Sequence, residues 1–521
     1  MILIASAAYV NAEFQIEFGK LPPALLPIGN RRLFEYQIQT LRAKFPGEEI
    51  YLSLPDSYVL GYKDAYFLKR ENVCLLRSDE NLSLAEGIAQ ALDQSGCRGQ
   101  SLRLLHGDTW LQTLPEINDC IGIVETNEDY VWEVEDQDAH SESIWCGYFA
   151  FSDLLTFHSL LKEPAARFSS AVRKYDELKN LQRIHVEGWH DFGHVNTYFQ
   201  SRAQLTTERA FNELRITDGC VRKMGTPYEK IEAESVWFEM LPAKLKVFAP
   251  QLIDSGFECG RPFYILEYLP LPPLNEVFVH GKNPTFYWDK VFGLCSNFLE
   301  QCRQVQLQED QLVSIRKDAC ELFTNKTSQR LDRFVNASGH PGLHVPSVIN
   351  GISVPGLKTI AEECQEALRQ QDVQAGLLHG DFCLSNILFD SRSDRIKVID
   401  PRGLNAEGKK TQFGDIRYDL AKLSHSILGL YDFIIAGAFE LDYKFSKDVC
   451  EFDLRIHVDE RIQEIQNVFQ SRTFAGCLRS IDVMPLTILL FLSMLPLHDD
   501  DVRRQHALLA NALRLYTTFI R

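Results

Sequence analysis

At 521 residues, 45% hydrophobic and 24% charged, the chain has the composition of a folded globular protein and is too long for one ordinary domain. Its net charge of −17 offers no broad basic surface to neutralise phosphates, which excludes a nucleic-acid partner. Thirteen cysteines stand singly with no C-x-x-C, so reduced thiols in the cytoplasm are expected rather than a disulfide framework. Residues 1–8 lack a basic region and read as a first strand, not a signal peptide. The most apolar stretch, 483–497, carries Pro485 and Pro496 and is shorter than a membrane span needs, so a buried helix is expected.

Residues 1 to about 200 alternate short apolar strands (2–5, 50–54, 73–76, 102–105, 121–124) with helices (34–42, 82–92), as βαβ units with a mainly parallel sheet do. Four motifs lie along this half. They are Pro22-Pro-Ala-Leu-Leu-Pro-Ile28, Leu104-Leu-His-Gly-Asp108, Cys146-Gly-Tyr-Phe-Ala-Phe151 and Trp189-His-Asp-Phe-Gly193. In that order they resemble the sugar-nucleotidyltransferase family. The resemblance implies a Rossmann-like mixed sheet, Asp108 and Asp191 as ligands of a catalytic Mg²⁺, and CTP or another nucleoside triphosphate as donor. The chain departs from the family at the phosphate loop, where no glycine occurs before Gly19 and Pro23 replaces the lysine. Lys20, Arg31 or Arg32 would have to face the departing pyrophosphate instead. Catalysis and a binding role both stay open for this half.

A polar stretch at 201–208 marks the expected boundary, giving a first domain of 1–203. Beyond it, 210–214, 220–224 and 263–268 read as strands of a small sheet, with a helix at 229–241 between them. Long helical patterns follow from 285, broken only by one hairpin. A small β-rich lobe (204–270) is thus expected before a helical lobe (271–521).

That hairpin holds three polar residues at fixed offsets: Asp381, Asn386 and, after apolar runs at 387–389 and 396–399, Asp400. Phosphoryl transfer from a nucleotide needs this set. One carboxylate orients the attacking hydroxyl, while an amide and a second carboxylate hold Mg²⁺ on the phosphates. The pattern H-G-D-x-x-x-x-N followed by I-D resembles the catalytic core of the aminoglycoside phosphotransferase and choline kinase families. The resemblance implies a two-lobed, protein-kinase-like α+β fold using ATP and Mg²⁺, with Asp381 as base and Asn386 and Asp400 as metal ligands. Leu105-His106-Gly107-Asp108 repeats the tetrapeptide, but Thr113 stands where Asn is needed and no I-D hairpin follows.

Within the resemblance, Lys223 and Glu234 match the ion pair over the nucleotide phosphates, with Arg222 or Glu232 as alternatives one or two positions away. The run 263–269 resembles the hinge between lobes, where backbone groups of Glu267, Tyr268 and Leu269 would meet adenine. Only Gly219 marks a phosphate-covering loop. His379 is expected to brace the catalytic loop, and Asp419 to hold that loop or cap a helix. Arg402 stands where related kinases usually carry an aromatic or acidic residue. A guanidinium there suits a phosphate or a substrate carboxylate.

The expected protein is therefore an α/β nucleotidyltransferase-like domain joined to an α+β kinase-like domain. It would phosphorylate a hydroxyl of a small alcohol, amino alcohol or sugar. The first domain would then activate the product as a nucleotide conjugate for bacterial surface-polysaccharide or headgroup synthesis, would turn over alone beside a regulatory kinase-like half, or would only bind. The acceptor and the oligomeric state are not set by these motifs.

Overall fold

The computed structural model describes residues 1–96, 101–137, 142–207 and 213–521. Two compact units emerge: Met1–Thr206 with His280–Asn283, and Thr207–Val279 with Pro284–Arg521. The sequence reading had assigned 280–283 to the helical lobe. The polar stretch expected as a boundary is mostly helical, since the helix Val195–Thr207 runs through it, and Glu208 lies outside the described residues.

The first unit is built on an eight-stranded sheet whose main path runs Gln182–His185, Cys120–Thr126, Glu142–Phe151, Leu102–His106, Ile2–Ala5, Ile50–Pro55, Val73–Ser78. The central strands are buried on both faces, which is why they read as continuous apolar runs rather than alternating ones. Ile2 pairs in parallel with Ile50 on one side and Arg103 on the other. Four of the six pairings along this path are parallel, as expected, and the sheet is mixed because Glu142–Phe151 runs antiparallel to each of its neighbours. Helix Leu84–Ser95 starts with a capping box, Ser83 and Glu86, and its apolar face joins a core with Phe149, Phe151, Phe157 and Tyr175.

The second unit opens with a four-stranded antiparallel sheet in the order Glu213–Thr217, Cys220–Met224, Arg261–Glu267, Leu252–Glu258. Residues 210–212 of the expected first strand lie outside the described residues. The edge strand Leu252–Glu258 was not expected, and its half-exposed side chains explain the weak hydrophobic signal. Helix Tyr228–Glu239 packs on this sheet, with Trp237 and Phe238 buried.

The remainder is not helical throughout, as the sequence reading had it apart from one hairpin. A second four-stranded sheet runs Ile352–Val354, Ser347–Ile349, Cys450–Ile456, Phe439–Phe445. Its signal is a period of two: Cys450, Phe452 and Leu454 are buried while Glu451 and Asp453 face solvent. The apolar stretch becomes the helix Met484–Met494, buried from Met484 to Leu492. It packs against helices Asn325–Ser338, Leu357–Arg369, Ile416–Ile427 and Val502–Phe519. All twelve described cysteines are free.

Candidate active site

The hairpin Ile387–Asp390 and Arg395–Val398 pairs Ile387 with Val398, and Ile399 N–H donates to the Asn386 carbonyl at 3.0 Å. Register therefore delivers Asn386 and Asp400 to the same open end. Asp400 has a left-handed backbone, φ +54°, an uncommon conformation for a residue other than glycine. A turn of 3₁₀ helix, Leu384–Asn386, folds Asn386 back on Asp381, and its Nδ2 donates to the Asp381 carbonyl and to Oδ2, both at 2.9 Å.

The loop before the hairpin is held from below. Both oxygens of buried Asp419 accept backbone N–H bonds, from His379 and from Gly380, each at 2.8 Å. His379 Nε2 lies 3.0 Å from the Ile399 carbonyl, and its Nδ1 accepts from Asp381 N–H at 3.2 Å. Those two bonds fix the neutral Nε2–H tautomer, and burial pulls its pKa down to about 4. His379 is a brace and Asp419 a clamp.

On the first sheet of this unit, Lys223 Nζ reaches Glu234 Oε2 at 2.8 Å and Asp400 Oδ1 at 2.9 Å. Tyr264 OH donates to the same Glu234 oxygen at 2.8 Å. Burial works against the Lys223 charge, but Asp400 and Glu234 together hold its pKa above the ordinary lysine value. The alternatives are engaged elsewhere, Arg222 with Glu258 at 2.6 Å and Glu232 with Lys410. The helix bearing Glu234 is tied to the catalytic segment: Trp237 Nε1 donates to the Leu378 carbonyl and Gln412 Nε2 to the Trp237 carbonyl, both at 2.9 Å. Gly403, at φ +63°, crosses this helix so closely that a Cβ would stand 2.5 Å from the Ala233 carbonyl oxygen.

Lys422 is a site residue that the sequence motifs do not point to. Three residues beyond Asp419 on helix Ile416–Ile427, it brings Nζ to 2.9 Å from Asp381 Oδ1. Burial works to raise the Asp381 carboxyl, yet the Lys422 ammonium overrides it and holds the pKa at about 2. The only signal was a lysine one helical turn from the clamp.

Arg402 N–H donates to the His379 carbonyl at 2.8 Å, and its guanidinium lies 4.7 Å from the Tyr418 ring centre. Its side chain passes over Gly380 (φ +81°), where a Cβ would come within 2.8 Å of it. At the expected hinge, Glu267 N–H is bonded to the Gln251 carbonyl at 3.0 Å and Tyr268 N–H to the Gly219 carbonyl at 2.7 Å. Leu269 carries the hinge N–H that stays outside these bonds, and its carbonyl accepts from Leu271.

In the first unit, Asp108 follows the strand Leu102–His106 and Asp191 ends the strand Trp189–Asp191, and both line one cleft of about 340 Å³. Asp191 accepts from Gly193 N–H at 3.2 Å and pairs with His194 Nδ1 at 2.9 Å. Burial, and then the neighbouring Asp191 charge, push Asp108 up to about 6. The cations weighed for pyrophosphate are engaged elsewhere. Lys20 pairs with Glu80, Arg31 with Glu35, and buried Arg32 with Asp64 and the Leu25 carbonyl. No lysine or arginine lines either this cleft or the adjoining one around Ser6, Ala7 and Asp108, among the described residues.

A magnesium ion fits the donors of the second unit. The amide nitrogen of Asn386 is turned to Asp381, which leaves Oδ1 in contact with the Ser385 hydroxyl at 3.4 Å, and Asp400 has one oxygen beyond its bond to Lys223. Two hard oxygens beside a phosphate site are what Mg²⁺ takes. The paired carboxylates of Asp108 and Asp191 have the same hard-donor character.

Residues 221–435 match the family model described as the phosphotransferase enzyme family, and this part of the chain is a phosphotransferase. No curated protein sequence matches the chain. Among solved structures, the chain is similar to a nucleoside-diphosphate-sugar pyrophosphorylase from Vibrio cholerae RC9, at 16% identity over 39% of this chain and 99% of that one, TM-score 0.31. It is similar to a Plasmodium vivax ethanolamine kinase at 13% identity over 69% and 95%, TM-score 0.32. A Streptomyces rimosus aminoglycoside phosphotransferase in complex with ADP and streptomycin matches at 14% identity over 55% and 97%, TM-score 0.30.

Proposed function

We propose that the second unit is an ATP- and Mg²⁺-dependent kinase that phosphorylates a hydroxyl group of a small molecule in the cytoplasm. The observation that carries this reading is the bond from Lys223 to Asp400, which joins the first sheet of the unit to the hairpin across 177 residues of sequence. Lys223, oriented by Glu234, would meet the nucleotide phosphates, and the Leu269 N–H would meet the base. Asn386 and Asp400 would hold Mg²⁺, which when bound neutralises charge on the phosphate oxygens. Asp381 would orient the acceptor hydroxyl and take its proton as the hydroxyl oxygen bonds to the γ-phosphorus. The bond from that phosphorus to the β–γ bridging oxygen breaks, and ADP leaves with the electron pair. Lys422 steadies the carboxylate for this step. Most of the catalytic work is positioning and electrostatics.

The test is ADP release from Mg-ATP against a panel of small polyols, amino alcohols, sugars and hydroxy acids. An acceptor-dependent signal lost in Asp381→Asn supports the reading. A signal unchanged in Asp381→Asn would sink it.

For the first unit, nucleotidyl transfer to the phosphorylated product would suit assembly of a bacterial surface polysaccharide or headgroup. The absence of lysine and arginine from both clefts, among the described residues, favours a second reading, in which this unit binds a nucleotide or product without turning it over. Pyrophosphate release from CTP or UTP, abolished by Asp108→Asn, would restore the catalytic reading.

A further inference from the structure

Around Asp381 the second unit gathers more positive charge than its own acids balance. Lys326 and Arg330 stand four residues apart on one face of helix Asn325–Ser338. The charge on Lys326 feels Arg330, Arg402 and Lys422 at once. Arg330 is placed by a bond from Nη1 to the Ser493 carbonyl at 3.2 Å and lies in the field of Tyr418, the residue whose ring carries Arg402. Tyr418 and Lys422 are one turn apart on helix Ile416–Ile427, and Lys422 reaches Asp381 at 2.9 Å, so the two helices and the segment after Asp400 gather four cations beside the partner of Asp381.

Among the described residues, one acid is ion-paired with this cluster. Asp381 pairs with Lys422 at 2.9 Å. Asp419, the other carboxylate in the field of Arg402, has both oxygens on backbone N–H groups. Among the described residues, Lys326, Arg330 and Arg402 have no carboxylate within ion-pair distance. A cluster of unpaired, half-buried cations opposes its own folding, so its presence points to a ligand that supplies the missing charge. An ammonium acceptor would meet repulsion at the same place.

Resting on the kinase reading above, we propose that the acceptor carries an anionic group, a carboxylate or a phosphate monoester, seated on Lys326, Arg330 and Arg402 while its hydroxyl reaches Asp381. Arg402 and Arg330 provide planar forks suited to either anion, and Lys326 provides a point charge between them. The nucleotide phosphates belong to Lys223 and the two metal ligands. The cluster joined to Asp381 through Lys422 is therefore left to select the second substrate.

The experiment uses the full chain saturated with Mg²⁺ and a non-hydrolysable ATP analogue, so that the nucleotide site is filled. Inorganic phosphate, glycerate, glycerol, ethanolamine and choline are titrated calorimetrically into wild type, Lys326→Met, Lys326→Arg and Arg402→Gln. Phosphate or glycerate should bind wild type and Lys326→Arg, and bind Lys326→Met and Arg402→Gln about tenfold or more weakly, as expected for losing a charge-assisted contact. Analogue affinity should be equal in all four proteins, which also shows that each variant is folded. Binding of ethanolamine or choline in place of the anions would overturn the proposal. So would anion binding equal in every variant, or no anion binding at all. Failure of wild type to bind the ATP analogue would instead strike the kinase reading itself.

Discussion

Lys422 Nζ rests 2.9 Å from Oδ1 of Asp381, while Asn386 Nδ2 holds Oδ2 of the same carboxylate at 2.9 Å. The two oxygens are thus oriented by two different elements, a helix and a 3₁₀ turn. Lys422→Met should leave the carboxylate in place but free to rotate. We expect kcat to fall by about 10²-fold with little change in the KM for ATP, whereas Asp381→Asn should lose about 10²–10⁴-fold, the range for removing a positioned acid–base group. Steady-state kinetics on the two variants separates positioning from proton transfer.

The bond between Lys223 and Asp400 predicts a shared dependence on nucleotide. ATP with Mg²⁺ at about 100 times its Kd should stabilise the second unit by roughly 2.7 kcal/mol. Asp400→Asn should abolish that gain in a thermal denaturation series. Lys223→Met should weaken it and also leave the buried Glu234 carboxylate with only the Tyr264 hydroxyl and the half-exposed Lys230, lowering the unfolding midpoint without ligand.

Asp419 is buried with both oxygens on backbone N–H groups and acts through the loop it clamps. Asp419→Ala leaves two buried N–H groups without acceptors, at a cost of about 1–3 kcal/mol each. Denaturant midpoints should report that loss. Asp419→Asn keeps one acceptor oxygen, so it should recover part of the stability and part of kcat. Equal stability of Asp419→Ala and wild type would show that the clamp contributes nothing.

Lys326 gives a pH signature. Burial, followed by the charges of Arg330, Arg402 and Lys422, pulls its pKa from 10.5 to about 8. Among the described residues, Tyr418 and Arg333 face Arg330, Asp419 faces Arg402 and Asp381 is paired with Lys422. Between about pH 8 and the unfolded value, the unfolded chain binds a proton there that the folded chain does not, so this group makes stability rise with pH in that window. Lys326→Met should remove that rise and be more stable than wild type at pH 7, by a few degrees in Tm. Conversely, an anion should favour the protonated lysine, so its binding should weaken from pH 7 to 9 and take up protons near pH 8. Calorimetry in buffers of different ionisation enthalpy measures the uptake.

In the first unit, the Asp108 and Asp191 carboxylates lie close enough to feel each other's charge, Asp191 bonded to His194, Thr197 and the Gly193 N–H and Asp108 to the Thr109 hydroxyl. If they hold a divalent ion, Mg²⁺ should raise the unfolding midpoint of this unit in wild type and not in Asp108→Asn. An equal response in both proteins would remove the pair from consideration as ligands.

The triad Asp381, Asn386 and Asp400 was legible because chemistry fixes its offsets along a hairpin, and a hairpin is local. Lys223 and Glu234 were legible through the family resemblance, which left Arg222 and Glu232 open beside them until the packing paired each elsewhere. Lys422, Lys326 and Arg330 were not, since a cation on a helix reads as a solvated face until the packing shows what it looks onto. The second sheet of the helical part was present as alternation in 450–456, but its partners, Ser347–Ile349 and Phe439–Phe445, come from different stretches and only tertiary pairing selects them. The loop that should cradle phosphates in the first unit deviates in sequence, and the fold survives it because the sheet depends on buried strands rather than on that loop.

Gly403 has a bearing on how the enzyme is kept ready. Its backbone lies against the Ala233 carbonyl with no room for a side chain, on the same helix that carries Glu234 and that Trp237 ties to Leu378. The helix and the segment after Asp400 are thereby packed as one part, with Lys223 of the neighbouring strand bonded to Glu234 on the first and to Asp400 on the second. If nucleotide binds this arrangement as it stands, no fraction of its affinity is lost to a prior conformational equilibrium. Control over such an enzyme would fall to acceptor supply rather than to a switch within the site.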